Sequence, residues 1–363
     1  MLTKAQFDVL YSLATVSDLA PAQLLEHVDL NAQQLADVQR DLLDQQLVSQ
    51  RGSHLHITDQ GREALAPYKV DNAVIMAAGI SSRFVPISYE MPKGLMSVRG
   101  EVLIERQIRQ LHEAGITDIT VVVGYKAEMF SYLADKLGVD IVYNPDYATR
   151  NNNATLWLVR DRLANTYVIA SDYYNSENVF EPYAYQAYYA GVWFPGSTAE
   201  YAMETDEDSN ILSVNTQGGT DAWCMLGHAY WDRAYSQQFV KILASIYDEP
   251  RTADMLWEDI YAEHCSELHM VMRPYSASVI HEFDSLDELR SFDPDFINNV
   301  HSKVLTQITE NLHCQRPEIK NIKPVTRTLA ERSFRFEVNG RGYLYHYPDA
   351  EADHIIKPLP SQA

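Results

Sequence analysis

The chain has 363 residues and carries 50 acidic against 29 basic side chains, a formal net charge of −21. Such an excess repels phosphate backbones and anionic lipid surfaces, which excludes non-specific binding to nucleic acid or to a membrane surface. The length allows two or three domains with a sizeable core, and any polyphosphate ligand would need locally concentrated cations or a divalent metal.

Residues 1–68 read as a separate small module. A helical pattern (Phe7, Leu10, Leu13) leads to the turn Pro21-Ala22-Gln23-Leu24, and Asn31 is placed to cap a third helix carrying Leu35, Val38, Leu42 and Leu43. Two short strands flank Arg51-Gly52-Ser53, and Thr58 opens a last helix. Three helices with a hairpin wing resemble the winged helix-turn-helix fold. Its usual ligand is DNA, but this segment holds nine acidic against four basic residues, with Asp37, Asp41 and Asp44 on the helix that would enter the groove. Phosphate contacts dominate DNA affinity, so such a surface repels a duplex, and a regulatory or dimerisation role is expected instead, with a homodimer as the assembly.

From Asp71 onward β-branched apolar runs alternate with amphipathic helices, the pattern of an α/β fold with a mostly parallel sheet covered on both faces. Strands are expected at 74–76, 119–123, 141–142 and 167–170, and helices at 102–114, 128–137 and 154–163. Ligands of such sheets lie beyond the carboxyl ends of the strands, where Gly79, Gly124 and Asp172 fall. The first strand runs into Ala77-Ala78-Gly79-Ile80-Ser81-Ser82-Arg83-Phe84, followed by Pro92-Lys93-Gly94. Small residues let backbone N–H groups approach a nucleotide, while Arg83 offers a forked donor and Lys93 a mobile point charge to its phosphates. Two cations behind an Ala-Ala-Gly turn mark enzymes that move a nucleotidyl group.

Asp172 follows a buried strand, where a carboxylate has little structural use and can hold Mg²⁺ against phosphate oxygens. Glu282 and Asp284 alternate on an extended segment and so face one side. Asp284 reads equally as a second metal ligand and as the N-cap of a helix 285–290. Asn151 and Asn152 either cap the following helix or read a base edge. The three cysteines (Cys224, Cys265, Cys314) show no metal spacing, and no leader or run of ~18 apolar residues is present, so a cytoplasmic protein with reduced thiols is expected.

Together Ala77-Ala78-Gly79, Ser82-Arg83-Phe84, Pro92-Lys93-Gly94-Leu95, Ile104-Glu105-Arg106-Gln107-Ile108, Val122-Val123-Gly124-Tyr125, Asn151-Asn152, Ser171-Asp172 and Glu282-Phe283-Asp284-Ser285-Leu286 make residues 70–300 similar to the LicC-type CTP:phosphocholine cytidylyltransferases, within the Rossmann-like nucleotidyltransferases. The resemblance implies that phosphocholine attacks the α-phosphorus of CTP, giving CDP-choline and pyrophosphate. It implies that Ala77, Ala78, Gly79, Ser82, Gly124 and Tyr125 surround the nucleotide, with Asn151 and Asn152 near base and ribose. Arg83 and Lys93 would neutralise phosphates, and Asp172 and Asp284 would hold Mg²⁺. A quaternary ammonium has no hydrogen to donate and is bound by aromatic faces plus a carboxylate. Candidates for that cage are Tyr173, Trp223 and Trp257 with Glu200, Glu258, Asp259 and Glu282, against the plainer reading of each ring as core. The tyrosines of 167–189 read as packing.

Residues 301–363 hold a hairpin pattern with an Asn339-Gly340 turn and resemble the opening strands of choline-kinase-like domains. The glycine-rich loop expected before that hairpin reads Arg327-Thr328-Leu329-Ala330-Glu331-Arg332, and no catalytic loop follows. No kinase activity is expected; the segment reads as a cover for an edge of the main domain. Two other functions stay open: nucleotidyl transfer to a sugar 1-phosphate or phosphoethanolamine, and a non-catalytic nucleotide- or choline-sensing regulator.

Overall fold

Helix capping shapes the beginning of the chain, and Thr3 and Asn31 each close a reciprocal capping box. Thr3 accepts from Gln6 N and caps α1 (Lys4–Thr15); Asn31 accepts from Gln33 N and Gln34 N and caps α3 (Ala32–Asp44), after the proline-led turn α2 (Pro21–Leu24). The computed structural model describes residues 1–16, 19–283, 285–326, 332–346 and 355–360. An antiparallel hairpin, β1 (Val48–Arg51) and β2 (His54–Ile57), follows, and Thr58 caps α4 (Asp59–Leu65). Leu10, Leu13, Leu24, Leu35, Leu42, Leu47, Leu55 and Leu65 form the core of this first unit. The unit is discontinuous, taking in Met1–Asp71 and Glu181–Ala187. Tyr185 from the second stretch stacks on Tyr68 at 5.6 Å and donates to Leu2 O at 3.1 Å.

The second unit opens with β3 (Asn72–Ala77), α5 (Ile87–Glu90), the short pair β4 (Ser97–Val98) and β5 (Glu101–Val102), then α6 (Leu103–Glu113) and β6 (Ile119–Val123). It continues with α7 (Tyr132–Leu137), β7 (Asp140–Tyr143), α8 (Asn153–Leu158) and β8 (Thr166–Ala170). Helices α7 and α8 are shorter than the sequence pattern suggests. A 3₁₀ turn precedes α7, and α8 stops where Arg160 Nη1 takes the Trp157 carbonyl at 2.7 Å, a basic C-terminal cap. Next come β9 (Tyr173–Asn175), β10 (Tyr188–Thr198), β11 (Ala202–Thr205), β12 (Ile211–Asn215), β13 (Gly219–Trp231), α9 (Arg233–Ile246), α10 (Trp257–Glu263), β14 (Val271–Tyr275) and β15 (Ile280–Glu282).

One nine-stranded sheet runs β12-β11-β13-β8-β3-β6-β7, with β10 paired to β13 and β14. The stretch β8-β3-β6-β7 is parallel, and all five residues of β6 are buried, as a strand covered on both faces requires. Parallel register brings the ends of β3, β6, β7 and β8 to one edge. The remaining elements, α11 (Leu286–Phe292), α12 (Phe296–Asn299), α13 (Lys303–Leu312), β16 (Ile319–Pro324), β17 (Ser333–Val338), β18 (Arg341–His346) and β19 (Ile355–Pro358), form a helical layer and a separate four-stranded sheet. Asn339 and Gly340 both take positive φ, 51° and 75°, in the tight turn between β17 and β18. Among the described residues this sheet pairs with no edge of the main sheet. It packs instead on the loop after β3, in one core with Phe84, Val85, Ile87, Tyr89 and Met96.

At the crowded strand ends Gly124 admits no side chain: a Cβ there would stand 2.5 Å from the Tyr147 Cβ and 2.9 Å from Ala78 O. Gly124→Ala is expected to lose about 1–3 kcal/mol of stability by overpacking, measurable by denaturant unfolding; an unchanged midpoint would mean that Tyr147 yields freely.

Candidate active site

A cavity of about 600 Å³ opens beyond the ends of β3, β7 and β8. The strand-to-loop turn contributes Ala77, Ala78, Gly79, Ser82 and Arg83, the next turn contributes Lys93, and the end of β8 contributes Asp172. Lys93 is only 6% exposed, and its Nζ lies 2.9 Å from Asp172 Oδ2 and 5.2 Å from the centre of the Phe84 ring. A buried ammonium needs that carboxylate, since an unpaired charge out of water is costly. Gly94 makes the approach possible: a Cβ there would meet Ser171 Oγ at 2.8 Å.

Asp172 is held from behind by α6. Gln107 is fully buried on that helix, and its Nε2 donates to Ala170 O and Tyr173 O, both at 3.0 Å, on either side of Ser171-Asp172. A buried glutamine on an amphipathic helix is a sequence signal for such a clamp, because burial demands partners for the amide.

Asn151 and Asn152 line the cavity but act as staples rather than as caps of α8, whose first turn receives no side-chain cap. Asn151 Nδ2 donates to Asp254 O at 3.0 Å, while Asn152 accepts from Trp257 N at 2.7 Å and donates to Glu258 Oε2 at 3.1 Å. Gly124 and Tyr125 stand behind the loop, with Tyr125 N bonded to Ala78 O at 3.1 Å, and do not line the cavity. Among the lining residues without a sequence signal are Asn144, Tyr147 and Arg150, all on the connection after β7. The Arg150 guanidinium lies 3.9 Å from the centre of the Tyr247 ring and adds a third cation to the wall.

Beside this cavity tyrosines and carboxylates gather. Glu258 accepts from Asn152 and, at 3.4 Å, from the Tyr189 hydroxyl; burial pushes its carboxyl up to about 7. Burial, together with the charges of Glu258, Glu282 and Glu200, holds the Tyr189 phenol well above its ordinary range. Tyr173 shifts the same way through burial and the charges of Glu282 and, more weakly, Asp172, so the cluster adjoins Asp172. Tyr173 and Glu282 are register partners across β9 and β15. Trp257 is buried, stacked on Tyr189 at 5.6 Å and edge-on to Trp231 at 5.0 Å. Asp259 is engaged by Leu256 N and by the Tyr201 hydroxyl at 2.6 Å, and Trp223 packs edge-to-face with the exposed Trp193. Tyr189 is the cluster member the sequence pattern concealed, because a tyrosine-rich strand reads as packing.

Asp284 lies outside the described residues. The capping role open to it belongs to its neighbour Ser285, whose Oγ accepts from Glu288 N at 3.2 Å at the start of α11. Cys224, Cys265 and Cys314 are buried and free, and no helix among the described residues is long and apolar enough to cross a membrane.

The MobA-like NTP transferase domain model matches residues 73–172. The 2-aminoethylphosphonate cytidylyltransferase of Lancefieldella rimae is 33% identical over 230 residues, 62% of this chain and 93% of that protein. The choline-phosphate cytidylyltransferase of Streptococcus pneumoniae is 32% identical over 223 residues, 61% of this chain and 96% of that protein. The solved CTP:phosphocholine cytidylyltransferase (LicC) of Streptococcus pneumoniae superposes with a TM-score of 0.60 at 31% identity, covering 61% of this chain and 97% of that one.

Proposed function

The chain belongs to the nucleotidyltransferase family that includes the choline-phosphate and 2-aminoethylphosphonate cytidylyltransferases, and on that premise we propose that it transfers the cytidylyl group of CTP to phosphocholine. An acceptor phosphate oxygen attacks the α-phosphorus, a new P–O bond forms, and the bond to the bridging oxygen breaks as pyrophosphate leaves with its electron pair. Backbone amides of Ala78 and Gly79 cradle the triphosphate, and Arg83, Lys93 and Arg150 offset its charge. Positioning and charge stabilisation suffice without a covalent intermediate.

Asp172 suits a divalent cation. It is a hard carboxylate on the cavity wall whose oxygen already faces a cation, Lys93 Nζ. Among the described residues no group of three His, Cys, Asp or Glu could hold a metal by itself, so Asp172 would share the ion with triphosphate oxygens. Mg²⁺ bound there would neutralise charge at the reacting phosphates.

The observation that carries the acceptor is the cluster of Tyr173, Tyr189, Glu258 and Glu282 adjoining Asp172. Carboxylates beside aromatic rings are what a trimethylammonium uses, and here Glu258 and Glu282 stand beside Tyr189 and Tyr173, none of which lines the cavity itself. A second reading, 2-aminoethylphosphonate, is supported by the relative at 33% identity, and its primary ammonium would use the same charge with hydrogen bonds added.

Pyrophosphate release with CTP, UTP, ATP or GTP against phosphocholine, 2-aminoethylphosphonate, phosphoethanolamine and glucose 1-phosphate separates these readings. Turnover is expected with CTP and phosphocholine; preference for the phosphonate would replace the acceptor, and preference for the sugar phosphate would discard the cage. Asp172→Asn is expected to cut kcat by on the order of 10²–10³-fold with an unchanged unfolding midpoint, whereas near-full activity would sink the metal assignment. Glu258 is ionised above about pH 7 and protonated below, so its attraction for an organic cation is gained as pH rises through 7. Below that point the acceptor KM should climb by up to about tenfold per pH unit. Glu258→Gln should flatten the extra slope while leaving the titration of the acceptor phosphate in both; equal slopes would remove Glu258 from the acceptor site.

A further inference from the structure

The stretch between the two phosphate-facing cations, Arg83 and Lys93, is anchored outside the nucleotidyltransferase core. Phe84, Val85 and Ile87 are each 1% exposed and share a core with Leu305, Ile308, Phe334, Phe336 and Tyr345. Polar ties join the same two parts. The Tyr89 hydroxyl donates to Ser333 O at 3.3 Å, and its ring packs 6.2 Å from that of Phe334. Glu90 accepts from Lys303 N at 2.7 Å and from the Ser302 hydroxyl, so its carboxylate sits on the first turn of α13. An anion there gains from the helix dipole and from otherwise unpaired amides. A third tie binds the β4–β5 turn: Arg99 N donates to Asp293 Oδ2 at 2.7 Å, and its guanidinium lies 3.8 Å from the centre of the Phe292 ring.

We propose that Glu90, seated on the Ser302 cap of α13, is a positioning residue through which the C-terminal layer fixes the loop that presents Arg83 and Lys93 to the nucleotide. Loops that hold phosphates are drawn from the least stable parts of a fold, and an ångström of misplacement is enough to lower catalysis. Here the loop has only short helical turns of its own between Arg83 and Met96; its Lys93-Gly94 end is tied to Ser171-Asp172, and the stretch before it is tied by Tyr89 and Glu90 to Ser333 and to the first turn of α13. The curated relatives cover 61–62% of this chain and 93–96% of their own lengths, so most of the remaining sequence has no counterpart in them. The nucleotide role of the loop rests on the cytidylyltransferase reading; the clamp itself rests on these contacts.

The test uses the full chain. Ser302→Asp keeps an effective N-cap for α13 but sets a second carboxylate against Glu90. Tyr89→Phe removes the hydroxyl that donates to Ser333 and keeps the ring on Phe334. In Glu90→Gln/Ser302→Asp the amide donates to the new carboxylate and restores the tie. Ser302→Asp is expected to speed hydrogen exchange in residues 79–95 and to raise the KM for CTP about tenfold. The KM for the acceptor should stay constant, the double variant should recover both readouts, and Tyr89→Phe should act in the same direction more weakly. Unchanged exchange in the loop overturns the clamp, as does a fall in kcat with both KM values constant, which marks lost folded protein. Faster exchange in a chain whose wild type binds no CTP would uphold the clamp and overturn the cytidylyltransferase reading.

Discussion

The ion pair between Lys93 and Asp172 is the contact on which the site depends. Each group comes from a different part of the sheet edge, and the lysine is too deeply buried to go without a counter-charge. The pair therefore draws the Pro-Lys-Gly turn down onto the end of β8, where Gly94 packs against Ser171. On the proposed reading, a nucleotide bringing a divalent cation would offer both members a new partner, phosphate for the lysine and metal for the aspartate. Such an exchange would conserve the charge balance and strand neither ion.

The proposed function places two half-sites of different chemistry at that pair. The nucleotide side is small residues, backbone and cations, built on one loop and one strand edge. The proposed acceptor side is aromatic and acidic, assembled from β9, β10, α10 and β15. Such segregation suits the proposed reaction, because an acidic wall attracts the acceptor's cationic end and repels the triphosphate, while the cations gather both phosphates. It would also let a chain of net charge −21 hold a triphosphate: Arg83, Lys93 and Arg150 gather on one cavity wall, with Asp172 beside them.

Glu90 shows how the rest of the chain enters this arrangement. Its carboxylate caps a helix more than two hundred residues away in sequence. The sheet and helices after residue 300 contribute Leu305, Ile308, Phe334, Phe336 and Tyr345 to the apolar core beneath the loop.

The parallel sheet, its strand ends and the loop with Arg83, Lys93 and Asp172 were legible in the sequence, since each is a local pattern: a β-branched run, a small-residue turn, an acid directly after a buried strand. Asn144, Tyr147 and Arg150 were not, because they sit on an irregular connection with no periodicity and reach the cavity only when β7 pairs beside β6. Tyr189 was hidden among packing tyrosines until the pairing of β10 and the docking of α10 set its hydroxyl against Glu258. Local chemistry thus determined which segments form strands, turns and caps, because those preferences act over a few residues. Only the tertiary structure decided which carboxylates gather, which asparagines staple rather than cap, and what anchors the loop, because these depend on distances between segments far apart in the chain.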